Sequence, residues 1–298
     1  MDLSSILNFF GFSVYAPEIE ALLRQCNASC NMKADLKRYD SINSESLGVS
    51  FWFWWKGFYQ DQIGEPQGTV EPEDSTEVVL REVRFTPQGL AQAKLPFGLS
   101  FPASPQSVIE ALGRKPFSKT KNVVGNAVWT YYEGEFELIV IFDCEGNSVE
   151  CFRIISLVRK ERQKIELLNS LKDQKPNILP ERIPEIEALI EVAPTDSWQL
   201  RMKSGDTQIS AEAIAASRQV FEDFVAAVCR ATKTRNAKSI YGAIKNSTKA
   251  FNKLARQHKG FIETMEREEI IEFFNKVVGL TGFQTDPSFD LTEEYRSW

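Results

Sequence analysis

Between Leu95 and Val158 the chain spells out an antiparallel meander and a helix to lie on it. The runs NAVWTYYE, FELIVIFD and SVECFRIISLV alternate large apolar with polar residues over part of their length. The turn signals Glu133-Gly134-Glu135 and Asp143-Cys144-Glu145-Gly146-Asn147 separate them. Upstream, a strand-like LPFGLSF leads to Ser104 and Pro105, which open a short helix with Val108, Ile109 and Leu112 on one side. Gly113 stops that helix, and a Lys-rich turn follows. One helix on a meander makes a core, and nothing in it spells out a reaction.

The preceding residues extend the sheet. Residues 3–11 and 17–28 read as short helices from the spacing of Leu3, Ile6, Leu7 and Phe10, then Ile19, Leu22 and Leu23. VSFWFWWKGFY, from Val49 to Tyr59, reads as one strand, aromatic on both sides: Trp52, Trp54 and Phe58 on one, Phe51, Phe53, Trp55 and Tyr59 on the other. Two readings stand: a central strand covered on both faces, or a strand whose second face is a partner-binding patch. Gln60 to Ser75 is a loop rich in Gly, Pro and acid, with Glu65, Glu71, Glu73 and Asp74, and TEVVLREVRF is a further strand. Joined to the meander, these pieces predict an α+β domain over 1–158, an antiparallel sheet of about five strands with helices on one face.

A length of 298 residues suits two domains. After Val158 comes a Pro-rich packed linker with one helix, 159–205, whose amphipathic start, Arg159 to Lys172, offers Ile165, Leu168 and Leu171 as a buried edge. Residues 206–298 read as an all-helical bundle, with stripes over 210–232, 236–258 and 261–278 that three helices can bury against one another. Charge is sorted along this part. Arg230, Lys233, Arg235, Lys238, Lys245, Lys249, Lys253, Arg256 and Lys259 come without an intervening acid, and Glu263, Glu266, Glu268, Glu269 and Glu272 follow. The simplest expectation is internal, a basic helix lying beside an acidic one in modest ion pairs. A nucleic-acid face is the lesser reading, because only Tyr241 and Phe251 offer rings for stacking.

Net charge of −6 argues against nucleic-acid binding by the protein as a whole. The excess acid lies in the first domain, so an adhesive acidic face belongs there. Five cysteines without framework spacing fit reduced thiols, with Cys26 and Cys30 read as small buried side chains. The first residues lack the pattern of a signal peptide, and no run reaches a membrane span, so the expected compartment is the cytoplasm.

Chemistry is hard to find. His258 is the only histidine and sits at the end of a predicted helix, where a surface or capping role suits it better than that of a base. There is no GxSxG, P-loop or strand-borne GxGxxG. Glu263, Glu266, Glu269 and Glu272 share a helix face but lack the histidines of a di-iron bundle. Asp143, Glu133, Glu135 and Glu137 offer acids whose separation nothing in the sequence fixes. No cofactor, no metal and no catalytic residue is expected.

Two segments resemble known proteins. LPFGLSFPASPQSVIEALGRKP, followed by Trp129-x-Tyr131 and the FELIVIFD hairpin, is similar to a module of bacterial proteins encoded beside polymorphic toxins. FIETMEREEIIEFFNKVVGLTGF followed by DLTEEYRSW looks like a C-terminal helical signature of such toxin neighbours. The resemblance implies an immunity protein, a cytoplasmic bacterial binder that occludes the active site of a cognate toxin. Alternatives are an adaptor or chaperone for a secreted effector, or an enzyme reversing a toxin's modification. The expected partner is a toxin with a basic cleft, and neither nucleic acid nor membrane. No binding residue transfers from the resemblance. The residues themselves offer Glu65, Glu71, Glu73 and Asp74, with Trp52, Trp54 and Trp55 as anchors and Glu293 and Glu294 as outlying candidates.

Overall fold

The meander is the middle of a seven-stranded antiparallel sheet, β1 (Ser41–Ser44), β2 (Val49–Trp55), β3 (Val78–Phe85), β4 (Ser118–Lys121), β5 (Ala127–Glu133), β6 (Phe136–Phe142) and β7 (Val149–Ser156), in the order β1-β2-β3-β7-β6-β5-β4. This computed structural model describes residues 2–28, 41–44, 46–68, 77–91 and 93–298. The chain divides into two units, Met1–Arg162 and Gln163–Trp298. The first is the α+β half and the second is helical.

The two strands beyond the expected five are the edges β1 and β4, each only four residues long, with β4 too polar to stand out as a strand. LPFGLSF is no strand: it holds a 3₁₀ turn at Pro96–Gly98, since proline cannot donate to a ladder. One sheet face is the core. Phe51, Phe53, Leu80, Val83, Phe85, Leu138, Val140, Phe142, Phe152 and Ile154 are buried there with Ile19, Leu22 and Leu23 of α1 (Pro17–Gln25) and Val108 of α3 (Pro105–Leu112). Each such side chain contributes about 1.5–3 kcal/mol. α3 starts and stops where its sequence says: Ser104 and Ser107 form a reciprocal cap, Pro105 opens the helix, and Gly113 closes it at φ 65°.

The aromatic run departs from its reading as one continuous strand. β2 ends at Trp55, and Lys56 begins α2 (Lys56–Gln62), which carries Phe58 and Tyr59. The corner is held inside: the Lys56 ammonium pairs with Glu77 at 3.3 Å, both side chains being almost fully buried. A bulge also intervenes, for Trp52 faces Glu82 while Phe53 faces Leu80, which makes Arg81 the extra residue. Tyr59 and Ile63 then cover Val79.

α4 (Arg159–Ser170) begins in the last residues of the first unit and continues into the second, where α5 (Ile183–Ala188) and α6 (Thr195–Lys203) lead to α7 (Ala211–Lys233), α8 (Ala237–Gln257) and α9 (Thr264–Leu280). Leu167 is the most buried residue of α4, with Leu168 and Leu171 partly buried beside it. Ile178, Ile186, Ala193 and Trp198, from the stretch read as a linker, join the same core. α7 packs against α5, α6, α8 and α9. At its middle Phe221 meets four rings, Trp198, Phe251, Phe273 and Phe274, with centroids 4.7–6.3 Å away. Ser210 caps α7 by accepting from the Ala213 N–H, and Asn236 caps α8 by accepting from that of Ser239. The last residues are tied to α8: Asn252 donates to the Tyr295 carbonyl at 2.6 Å and accepts from the Ser297 N–H at 3.0 Å.

The expected pairing of the basic helix with the acidic one is not found. Among the described residues no ion pair joins α8 to α9. Glu266 and Glu269 of α9 instead meet Arg201 of α6 at 3.0 and 2.7 Å, and the Trp198 indole N–H also donates to Glu269. A single half-buried guanidinium on a third helix has taken these two carboxylates. No helix among the described residues is long and apolar enough to cross a membrane.

Candidate functional site

The first unit carries a groove of about 460 Å³ where four parts of its chain converge. Leu7 and Phe10 come from the N-terminal segment, Tyr59 and Ile63 from α2 and its end, Phe136 from β6, and Ser156 from the last position of β7. These make an apolar wall with hydroxyls at its base. Glu65, Glu135 and Arg162 supply the charge. Arg162, in the first turn of α4, pairs with Glu135 at 3.1 Å. Glu65 is exposed and accepts weakly from Gln60 at 3.4 Å, so the rim carries two carboxylates against one guanidinium.

At the base, burial pushes the Tyr59 hydroxyl up, with the Ser156 hydroxyl beside it acting the other way. The Ser156 oxygen is buried and makes no well-formed hydrogen bond among the described residues. A groove with apolar walls, a hydroxyl base and an acidic rim suits a long side chain with a cationic head, whose stem packs on the rings while the head reaches the rim.

Trp52 and Trp54 lie on the sheet face away from the core, half-buried. Each carries a guanidinium: Arg84 sits 3.8 Å from the Trp52 ring centroid, and Arg81 3.7 Å from that of Trp54. Next in the row, Glu82 accepts from Arg84 at 2.5 Å and from Arg153 at 2.8 Å. Burial alone would raise the Glu82 pKa, and the two arginines overcome it and hold it low. The second face of the strand is therefore neither fully covered nor bare, because its aromatic surface is roofed by the chain's own arginines. Trp55 is 42% exposed, the most exposed of the three.

Of the residues offered from the sequence as binding candidates, Glu65 alone lines the groove; the three tryptophans do not. Glu71, Glu73 and Asp74 lie outside the described residues, as does Cys30. Glu294, in the second unit, is paired with Lys164 at 2.7 Å, and Glu293 is exposed in the same tail. Glu135, Tyr59, Ser156 and Arg162 were not among the binding residues named. The one signal for them was Glu135 in the acid-glycine-acid turn.

The acids of the meander do not form a pair. Asp143 accepts from the Ser148 hydroxyl at 2.7 Å and the Asn147 N–H at 2.8 Å, which ties up its own turn. Glu133 accepts from Arg114 at 2.6 Å at the other end of β6. Glu137 stands between, half-buried, its carboxyl raised by burial and then by Glu161. His258 occupies the C-cap position of α8. Cys26 is buried, which pushes its thiol up to about 11. Among the described residues no three His, Cys, Asp or Glu side chains are grouped to hold a metal ion.

No family model, curated protein or solved structure matches this chain.

Proposed function

We propose that the protein is an immunity protein: a cytoplasmic bacterial binder that neutralises a cognate toxin by occluding its active site, without chemical turnover. The observation that carries this reading is the acid-rimmed groove of the first unit, with Glu65 and Glu135 over walls formed by Phe10, Tyr59 and Phe136. A toxin whose cleft handles an anionic substrate displays Lys and Arg, and one such side chain has the length and charge to enter. Exposed carboxylates at the rim steer the encounter, and the rings hold the stem once it docks. The net charge of −6 acts in the same direction. The resemblance of the residue 95–143 and 261–298 segments to toxin neighbours supports the same class.

The test is rescue. Co-expression should protect cells from the toxin encoded beside this gene, and the purified pair should titrate at one to one. Rescue at clearly substoichiometric protein would mean an enzyme, and a requirement for the neighbour's secretion without protection would mean an adaptor. Either result displaces the proposal.

A further inference from the structure

Residues 230–259 carry nine Lys and Arg and no Asp or Glu. Eight of the nine are exposed, and the ninth, Lys245, lies half-buried with its ammonium 5.0 Å from the Tyr295 ring. Among the described residues no carboxylate comes within 4.0 Å of any of them. This arrangement opposes folding. Lys245, Lys249 and Lys253 repel one another at four-residue spacing, and Lys238 stands in the first turn of α8, at the positive end of the helix dipole. Among the described residues, the carboxylates of this unit are paired or exposed elsewhere and none neutralises this face. Such a face is suited to an anionic partner.

The chemistry of the face narrows what that is. Between the last turn of α7 and the start of α8 lies an open groove of about 610 Å³. Arg230 and Lys238 line it with Thr234, Asn236, Ser239 and Asn246, neutral hydroxyls and amides that can hydrogen-bond phosphate oxygens. An acidic protein docks through apolar or aromatic anchors at the centre of its contact. α8 exposes none, for the exposed large apolar side chains of this unit are Val192, Leu200 and Met265, on other elements. A single strand needs rings for its bases, and Tyr241 and Phe251 are both buried. What remains is a straight run of ammonium and guanidinium groups on small polar neighbours. Along the 21 residues of α8 it extends about 30 Å, roughly nine base pairs of duplex.

We propose that the exposed face of α8, with the last turn of α7, binds the phosphodiester backbone of a nucleic-acid duplex without reading its sequence. This is independent of the groove in the first unit. Excess acid elsewhere on the chain limits the contact to this one face, which accommodates a protein acidic overall.

The experiment is fluorescence anisotropy of the full-length protein with a 20-base-pair DNA duplex, the same duplex as RNA, and poly-glutamate as an acidic-polypeptide probe. At 50 mM salt at least one duplex should bind, with log Kobs falling against log salt at a slope of about −4 to −6, the release expected for five to seven phosphate contacts. A scrambled sequence should bind equally well. The triple variant Lys249→Glu, Lys253→Glu, Arg256→Glu should lose at least tenfold, and the Gln triple less, with circular dichroism unchanged in the Gln form. Absence of duplex binding at 50 mM salt, or undiminished affinity in the Gln triple, overturns the proposal. Poly-glutamate binding as tightly as the better duplex also overturns it and assigns the face to an acidic protein.

Discussion

The guanidinium carbon of Arg84 lies 3.8 Å from the ring centroid of Trp52, and the same side chain donates through Nε to Glu82 at 2.5 Å. Carboxylate, guanidinium and indole thus form one stack on the sheet face away from the core. Truncating Trp52→Ala removes the half-buried ring and leaves Arg84 without its platform. The expected cost is about 1–3 kcal/mol, less than for a core tryptophan, read from urea midpoints at pH 7.

Glu82 gives that stack a pH dependence. Its folded pKa is held below the unfolded value of about 4.3, so protons favour the unfolded chain. Its stabilising contribution is complete above the unfolded value and is lost as pH falls through the folded one. Glu82→Gln should cost roughly 1–3 kcal/mol at pH 7, since it leaves two arginines facing a neutral amide. The gap from the parent protein should close below about pH 4; a gap of constant size would mean that Glu82 acts through packing alone.

Glu137 works with the opposite sign. Burial and then Glu161 raise its carboxyl, so ionisation favours the unfolded chain, and stability present below the unfolded pKa is lost as pH rises through the folded one. Glu137→Gln should therefore raise Tm at pH 7 and leave it nearly unchanged at pH 4. The gain should be about 0.5–1 kcal/mol after allowance for the exposed part of the group.

Phe221 is fully buried among four rings at the middle of α7. Phe221→Ala should cost about 3–5 kcal/mol. Differential scanning calorimetry should show the loss in the transition of the helical unit, and a shift of less than about 1 kcal/mol would mean that the surrounding rings collapse into the space.

On the proposed function, Glu65→Arg and Glu135→Arg should each slow association with the proposed toxin partner, at least tenfold together, and flatten its dependence on salt. Stopped-flow mixing measures both. Trp55→Ala in the same assay should change the dissociation rate if this exposed ring is an anchor, and an effect confined to stability would remove it from the interface.

Local signals carried well where one segment settles its own structure. Ser104, Pro105 and Gly113 bound their helix through cap chemistry that is local to the segment, and the turns at Gly134 and Gly146 fix the meander. The run Val49 to Tyr59 misled because β2 turns into a helix at a lysine whose partner, Glu77, is 21 residues away. The bulge at Arg81 leaves no mark in composition, yet it re-aims the second half of the strand. Of the candidate site only Glu65 was visible in advance as a binding residue. Tyr59, Ser156 and Arg162 meet there from α2, β7 and α4, and no local periodicity reports such a meeting. The acids of α9 were visible, but Arg201 as their partner was not, because choice among several arginines is made by packing.

One of the two edge strands, β4, has its own bearing on how this molecule behaves in company. Its side chains are Ser118, Lys119, Thr120 and Lys121, and Lys119 reaches back to lie 4.1 Å from the Trp129 ring centroid. A second copy approaching to continue the ladder would bring its own lysines against these, like charge against like. At millimolar concentrations, as inside a crowded cell or a crystallisation drop, that border disfavours pairing of one sheet with another through β4.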